Sequence, residues 1–394
     1  MLKLSERLKF LGKEAADIRK NFSSHADESG QDGGLSGYRQ TGSRNDPKYL
    51  NRVAEAMEFF ADVQSGRRPA YHMQEAMVTT DFPILYGETL FRQFLGEYEN
   101  WPVTYPQYFD ITEVEDFNKI NLITFDGGQG ELSEVTEREP YKEFAFTEGK
   151  YEMQVKKYGK RYGITFEMVV NRNGQIWRRR PQIMGEAARI SEELLATRTM
   201  FDIDGPNSAF FTAPNGNIVT GNPALGFTGL QAALQQLNSR KNSDGNPIWI
   251  RGAHVIITPA DELVMEQIMA ADTIDMPTGI ANTTMLTKNW LRSKLTWSVN
   301  PFIPIVASSA TARPWILTAK PFGGRAAFVF AFMTGRRAPQ LFMKDGNARQ
   351  IGGGEVDQWE GDFDHDVMDF KVRHIYGATT QDPFLAVGSD GTGV

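Results

Sequence analysis

The sequence predicts an α+β protein of several domains, at least one of them built from separated parts of the chain. Three observations carry that prediction. Tyr151, Met153 and Val155 alternate with Glu152, Gln154 and Lys156, the period-2 signature of a strand with one wet face. Ile183, Ala187, Ile190, Leu194 and Phe201 then fall on one stripe of a long helix opened by Pro181. Alternation returns near the end, where Met368, Phe370, Val372, His374 and Tyr376 interleave with Asp369, Lys371, Arg373 and Ile375. A strand that late is expected to close a sheet begun much earlier.

The remaining elements follow in order. Leu4, Leu8, Leu11, Ala15, Ile18 and Phe22 are spaced 4, 3, 4, 3, 4. That spacing fits a terminal helix packed on its own body, and equally a short coiled-coil seam for another subunit. Residues 23–45, rich in Ser, Gly, Asp and Gln, read as a flexible connection. A second helix starts with Asp46 as cap and Pro47 in its first turn, carries Leu50, Val53, Met57 and Phe60, and stops at Gly66. A third covers Gly87 to Tyr98, after which Trp101, Pro102 and Pro106 start extended chain.

Leu132–Phe166 reads as a long, polar, two-stranded projection turning at Glu148-Gly149. An isolated hairpin is marginal in water, so this one needs a surface to lie on, and a neighbour can supply it. The run Arg178-Arg179-Arg180 precedes the long helix and opposes its dipole, which predicts a solvated cluster with some anion nearby. From Phe227 to about Arg349 helix and strand alternate: Leu230, Leu234 and Leu237 mark a helix, and Thr258-Pro259 launches another through Leu263, Met265 and Ile268. Ile248–Thr258, Leu295–Val299, Trp315–Thr318 and Ala326–Met333 are apolar strands. This is an α/β unit with its own core.

Composition excludes several classes of function. With 42 basic and 49 acidic residues the formal charge is −7, which argues against a globally basic nucleic-acid surface and leaves room for a local stripe. There is no cysteine, hence no disulfide, thiolate metal site or cysteine nucleophile. The longest apolar run, Ala326–Met333, is too short to span a bilayer, and the first residues carry no signal-peptide core, so no membrane is expected and an intracellular product is. Gly12-Lys13, Gly149-Lys150 and Gly159-Lys160 lack the Ser or Thr of a phosphate-binding loop. Asp362, Asp364 and Asp366 match the first ligands of a calcium loop, yet Val367 and Arg373 stand where glycine and glutamate are required. No catalytic residue, cofactor or metal is therefore assigned, and the chain reads as a non-enzyme. The acidity is concentrated: residues 345–394 hold ten acids against three bases.

Several segments together resemble the major capsid (major head) proteins of tailed phages, Mu-like type, which share the HK97 fold. Gln74-Glu75-Ala76-Met77 and Thr80-Asp81-Phe82-Pro83-Ile84-Leu85 resemble the segment leading into that fold. Val114-Glu115-Asp116-Phe117, Val135-Thr136-Glu137 and Tyr158-Gly159-Lys160-Arg161-Tyr162-Gly163-Ile164-Thr165 resemble its extended loop. Gly221-Asn222, Asp244-Gly245-Asn246-Pro247-Ile248 and Val255–Pro259 resemble later junctions, and Lys371-Val372-Arg373-His374-Ile375-Tyr376-Gly377-Ala378 its closing strand. Asn171 is followed by Arg172 where the family often has Asp.

The resemblance implies an N-terminal helical arm region (1–115), an extended β-hairpin loop with flanking strands (116–170) and a peripheral domain with a long spine helix (171–226). An α/β axial domain (227–349) and a return strand completing the discontinuous peripheral domain (350–394) follow. It further implies a structural role, with hexamers and pentamers of this chain closing an icosahedral head around double-stranded DNA held without sequence preference. Portal, scaffold and decoration proteins are the implied partners, the virion the implied location, and the bacterial host cytoplasm the site of assembly. An encapsulin-like compartment shell is the alternative, and an unrelated enzyme the more distant one. Lys150, Lys156, Lys157, Lys160 and Arg161 are the expected subunit-interface residues, meeting tail acids of a neighbour.

Overall fold

The computed structural model describes residues 67, 91, 94–126, 147–165, 174–241, 245–248, 250, 252–277, 284–322, 324–344 and 367–393. The predicted helices before residue 66 and the Asp362–Asp366 cluster lie outside them. In chain order the strands are β1 Asp110–Val114, β2 Ile120–Asp126, β3 Thr147–Met153, β4 Lys156–Thr165, β5 Ala253–Ile257, β6 Thr273–Pro277, β7 Thr284–Lys288, β8 Leu295–Val299, β9 Trp315–Ala319, β10 Phe328–Met333, β11 Gln340–Met343, β12 Val367–Thr380 and β13 Ala386–Ser389. The helices are α1 Gly174–Met200, α2 Phe227–Asn238, α3 Glu262–Ala270 and the single turn α4 Ile303–Val306. The result is an α+β protein.

The chain divides into two compact units, each discontinuous in sequence. The described residues of the first fall within Met1–Trp101, Lys157–Ala188 and Thr334–Ile375, and those of the second within Pro102–Lys156, Arg189–Met333 and Tyr376–Val394. The boundary falls inside α1 and inside β12.

In the second unit the α/β core is a four-stranded sheet in the order β13-β9-β5-β8, with β5 and β8 parallel. Both β5 and β9 are buried along their whole length, which is why they read as continuous apolar runs instead of alternating ones. Leu230, Leu234 and Leu237 of α2 pack with Val255, Ile257, Leu317 and Met265, as their spacing requires. Leu263, in the same predicted helix as Met265, is 64% exposed. Both lie within α3, where residues two apart point to opposite sides, so Leu263 faces water while Met265 is buried. A second cluster is aromatic. β10 pairs in parallel with β1 and antiparallel with residues 376–380 of β12. Its Phe330 stacks on Tyr105 and Tyr376 with ring centroids 4.6 and 5.7 Å apart.

The alternation at 151–156 is borne out: Met153 and Val155 are buried while Glu152, Gln154 and Lys156 are exposed. The turn expected at Glu148-Gly149 is not. Both residues lie inside β3, opposite Phe125 and Thr124 of β2, in a ladder of seven pairs from Ile120↔Met153 to Asp126↔Thr147. A continuous ladder with Met153 in the core outweighs the turn preference of one glycine. The hairpin connection is 127–146, outside the described residues, and β4, read above as part of the same projection, pairs with β12.

α1 also departs from its expected form. It begins at Gly174, so Pro181 is internal and the arginine triplet lies within the helix rather than before it. Arg179 is exposed; Arg180 donates to the Gly163 carbonyl and sits over the Tyr162 ring, 5.9 Å from its centroid. A backbone oxygen and an aromatic face thus receive Arg180. The buried side of α1 is also rotated from the expected stripe. Ile183 is 54% exposed, while Gly185, Ala188, Ala196 and Met200 are buried. In the first unit a Cβ on Gly185 would lie 2.4 Å from the Phe94 carbonyl oxygen and 3.0 Å from the Tyr98 nitrogen, so helical segment 94–100 approaches the α1 backbone itself. Small residues, not branched ones, therefore mark the packed side.

Candidate functional site

The five interface residues expected from sequence lie on two strands. Lys150 lies in β3, opposite Ile123. Lys156, Lys157, Lys160 and Arg161 all lie in β4 and are exposed. Period 2 splits them, with Lys157 and Arg161 on one side of the strand and Lys156 and Lys160 on the other. Tyr162 fixes which side is which: its ring stacks at 5.0 Å and 11° on Phe370 of β12, which is 1% exposed. The Tyr162 side thus faces packed interior within the first unit, and Arg161 points the other way. Burial raises the Tyr162 hydroxyl pKa, with Arg180 opposing the shift.

The most elaborate polar arrangement belongs to the second unit and was not anticipated. Glu192 and Glu193 are 0% and 1% exposed. Glu193 accepts from the Thr104 amide at 2.9 Å, the Tyr105 amide at 3.3 Å, Asn300 Nδ2 at 3.1 Å and the Thr104 hydroxyl. Glu192 accepts from the Tyr105 hydroxyl at 2.9 Å and from Arg189 Nη1 at 2.8 Å. Asn300 Nδ2 also reaches Thr197 Oγ1 at 2.9 Å, and the Tyr108 hydroxyl is 2.8 Å from Thr104 Oγ1. Four donors on one carboxylate stabilise its charge, yet burial outweighs them and raises its pKa, with Glu192 adding to the rise. Burial likewise raises Tyr105 and Tyr108. The cluster fastens the second half of α1 to the 104–105 turn and to the end of β8. Its two carboxylates bind backbone amides and side chains from other parts of the fold, which is the chemistry of a structural clasp.

His254 in β5 ends the same network. It is 1% exposed, with Nδ1 2.9 Å from Thr296 Oγ1, Nε2 2.8 Å from Ser298 Oγ and its ring stacked 5.3 Å from Tyr108. Burial, with Lys320 assisting, pushes its pKa down from 6.5 to about 4. The unfolded chain therefore binds a proton that the folded chain refuses between those values, and stability is lost as pH falls from about 6.5 to about 4. Glu193 has the opposite sign, because a raised carboxyl pKa favours the fold as pH falls. Urea unfolding of the wild type and His254→Gln at pH 7.5 and 4.5 should show the wild type losing roughly 3 kcal/mol more than the variant. Equal losses would mean that His254 is not held neutral.

Among the described residues no group of three or more metal-ligating side chains converges, and no helix is long and apolar enough to cross a membrane.

The family described as phage capsid protein matches residues 150–387, more than half of the chain. No curated protein matches it. Among solved structures the chain is similar to the capsid of the cyanophage P-SCSP1u, at 10% identity over 73% of this chain and 87% of that one, TM-score 0.44. It is similar to a virus-like particle from Pyrococcus furiosus, at 13% identity over 77% and 99%, TM-score 0.41. The holo-SrpI encapsulin complex from Synechococcus elongatus is similar at 12% identity over 74% and 92%, TM-score 0.40.

Proposed function

The chain belongs to the phage capsid protein family, and from that premise we propose that hexamers and pentamers of it close an icosahedral head around packaged double-stranded DNA. The role is that of a shell component of the virion, structural rather than catalytic. The observation that carries the reading is the family match over residues 150–387, which takes in α1, all of the return strand β12 and the α/β core up to the first residues of β13. The HK97-type plan of arm, extended loop, peripheral and axial domains belongs to the same reading, as does the Mu-like type on the motifs quoted above. Portal, scaffold and decoration proteins are its expected partners and the host cytoplasm its place of assembly.

The charge distribution is physically suited to this. A net charge of −7 leaves packaged DNA loosely held, since extensive phosphate neutralisation would oppose release. Exposed ion pairs are worth only about 0–1 kcal/mol each, but a lattice repeats every one of them in each subunit. Lys150, Lys156, Lys157, Lys160 and Arg161 are assigned to subunit contacts on that ground. Lys156→Glu with Lys157→Glu should slow assembly severalfold and leave the thermal midpoint of the subunit unchanged, both side chains being exposed. Normal assembly of that variant would remove them from the interface.

The contents of particles isolated by sedimentation test the head reading against the compartment reading. Double-stranded DNA with portal or tail proteins is the expected result; a single enclosed enzyme without DNA would overturn it.

A further inference from the structure

The first unit has a sheet with two dissimilar faces. On β12, Phe370, Val372 and His374 are buried. The intervening Lys371 is exposed, and Arg373 is half-buried. β11 is registered so that Phe342 lies directly opposite Lys371 and Gln340 opposite Arg373, which places all four on the open face. Lys371 Nζ and Arg373 Cζ lie over the Phe342 ring, 5.1 and 4.6 Å from its centroid, and Phe342 stays 36% exposed. Arg373 reaches Gln340 Oε1 at 2.6 Å through Nη2. β4 adds Arg161 and Lys157 to this face, the side away from the Tyr162 and Phe370 stack. Asp369 lies on the open face too, its Oδ1 3.3 Å from where a Cβ on Gly163 would sit. Among the described residues no ion pair involves Lys157, Arg161, Lys371 or Arg373.

A chain of net charge −7 thus carries a cationic sheet face whose described residues include one exposed aromatic ring, Phe342, and one carboxylate, Asp369. The complementary chemistry is an acidic stretch with aromatic residues. This sequence contains one: residues 355–366 hold six carboxylates, Glu355, Asp357, Glu360, Asp362, Asp364 and Asp366, together with Trp359 and Phe363, and no lysine or arginine. We propose that the open face formed by Arg161, Lys371, Arg373 and Phe342 is a docking surface for the acidic, aromatic stretch 355–366 of a second copy of this chain. The inference rests on the shell reading above and gives it a contact: carboxylates meet the four cations while Trp359 or Phe363 packs on Phe342. It also divides the expected interface residues, since Arg161 and Lys157 belong to this surface and Lys160 does not.

Two charge-reversed full-length variants test it. One carries Arg161→Glu and Lys371→Glu on the face; the other carries Asp362→Lys and Asp364→Lys in the stretch. Each alone should need about tenfold or more protein to assemble, as read by sedimentation and electron microscopy. An equal mixture of the two should recover assembly, with both chains in the particles, because each supplies the surface the other lacks. A single chain carrying all four changes should recover as well. Circular dichroism establishes that each variant folds, and Arg161→Gln with Lys371→Gln replaces the first if it does not, with a smaller loss expected. Recovery by the four-change chain but not by the mixture would place the contact within one chain and overturn the proposal. So would unimpaired assembly of either variant, including a face variant that assembles normally but retains less DNA, which would assign the face to phosphate. Wild-type protein that never assembles would sink the shell reading itself.

Discussion

Glu193→Ala is expected to be the most damaging single substitution among the polar residues of the second unit. It removes the acceptor for the Thr104 and Tyr105 amides, the Thr104 hydroxyl and Asn300 Nδ2, of which Tyr105 and Asn300 are buried and Thr104 half-buried. An unpaired buried donor costs about 1–3 kcal/mol, and Asn300 retains Thr197 Oγ1 and Thr104 Oγ1 retains Tyr108, so the summed loss is about 3–5 kcal/mol. Glu193→Gln keeps one acceptor oxygen and should fall between alanine and wild type. Urea unfolding followed by tryptophan fluorescence gives the order. A Glu193→Ala loss below about 1 kcal/mol would mean that the four contacts are not made in solution.

The second large effect concerns two glycines of the first unit. A Cβ on Gly185 meets the Phe94 carbonyl oxygen at 2.4 Å, an atom that cannot swing aside as a side chain can, whereas a Cβ on Gly96 meets nothing within 4 Å. Both lie in helical backbone. Gly185→Ala should therefore destabilise by about 2–3 kcal/mol through overpacking, despite alanine's better helix propensity. Gly96→Ala should be neutral or stabilise by up to about 1 kcal/mol. Thermal unfolding of the two variants beside wild type separates them. Matching midpoints would contradict the close approach of segment 94–100 to α1.

These two sites also mark where the sequence could be read and where it could not. Leu230, Leu234 and Leu237, and strands β9 and β10, are legible because burial there is apolar and either periodic or continuous. α1 did not. Its packed side is written in Gly185, Ala188 and Ala196, with Glu192 and Glu193 buried among them, so a search for branched apolar residues chose Ile183, which faces water. The one available sign was position: Glu193 shares a helical stripe with Ala196, Thr197 and Met200, at spacings of 3, 4 and 7. The donors that satisfy it come from residues 104–105 and 300, and no local pattern ties those to 193. The cationic face was hidden for a similar reason. Arg161, Phe342 and Lys371 are far apart in the chain, and only the β11–β12 register and the Tyr162 stack place them on one side of a sheet. The bases of β4 form a run in the sequence, but period 2 sends half of them to each side.

The central claim, that this chain builds a closed shell, is tested most directly by electron microscopy of the purified full-length protein, alone and with its neighbouring gene products. Closed icosahedral particles, or rings of five and six subunits, are the predicted result. A stable monomer under every condition, with no ring or shell, would contradict it.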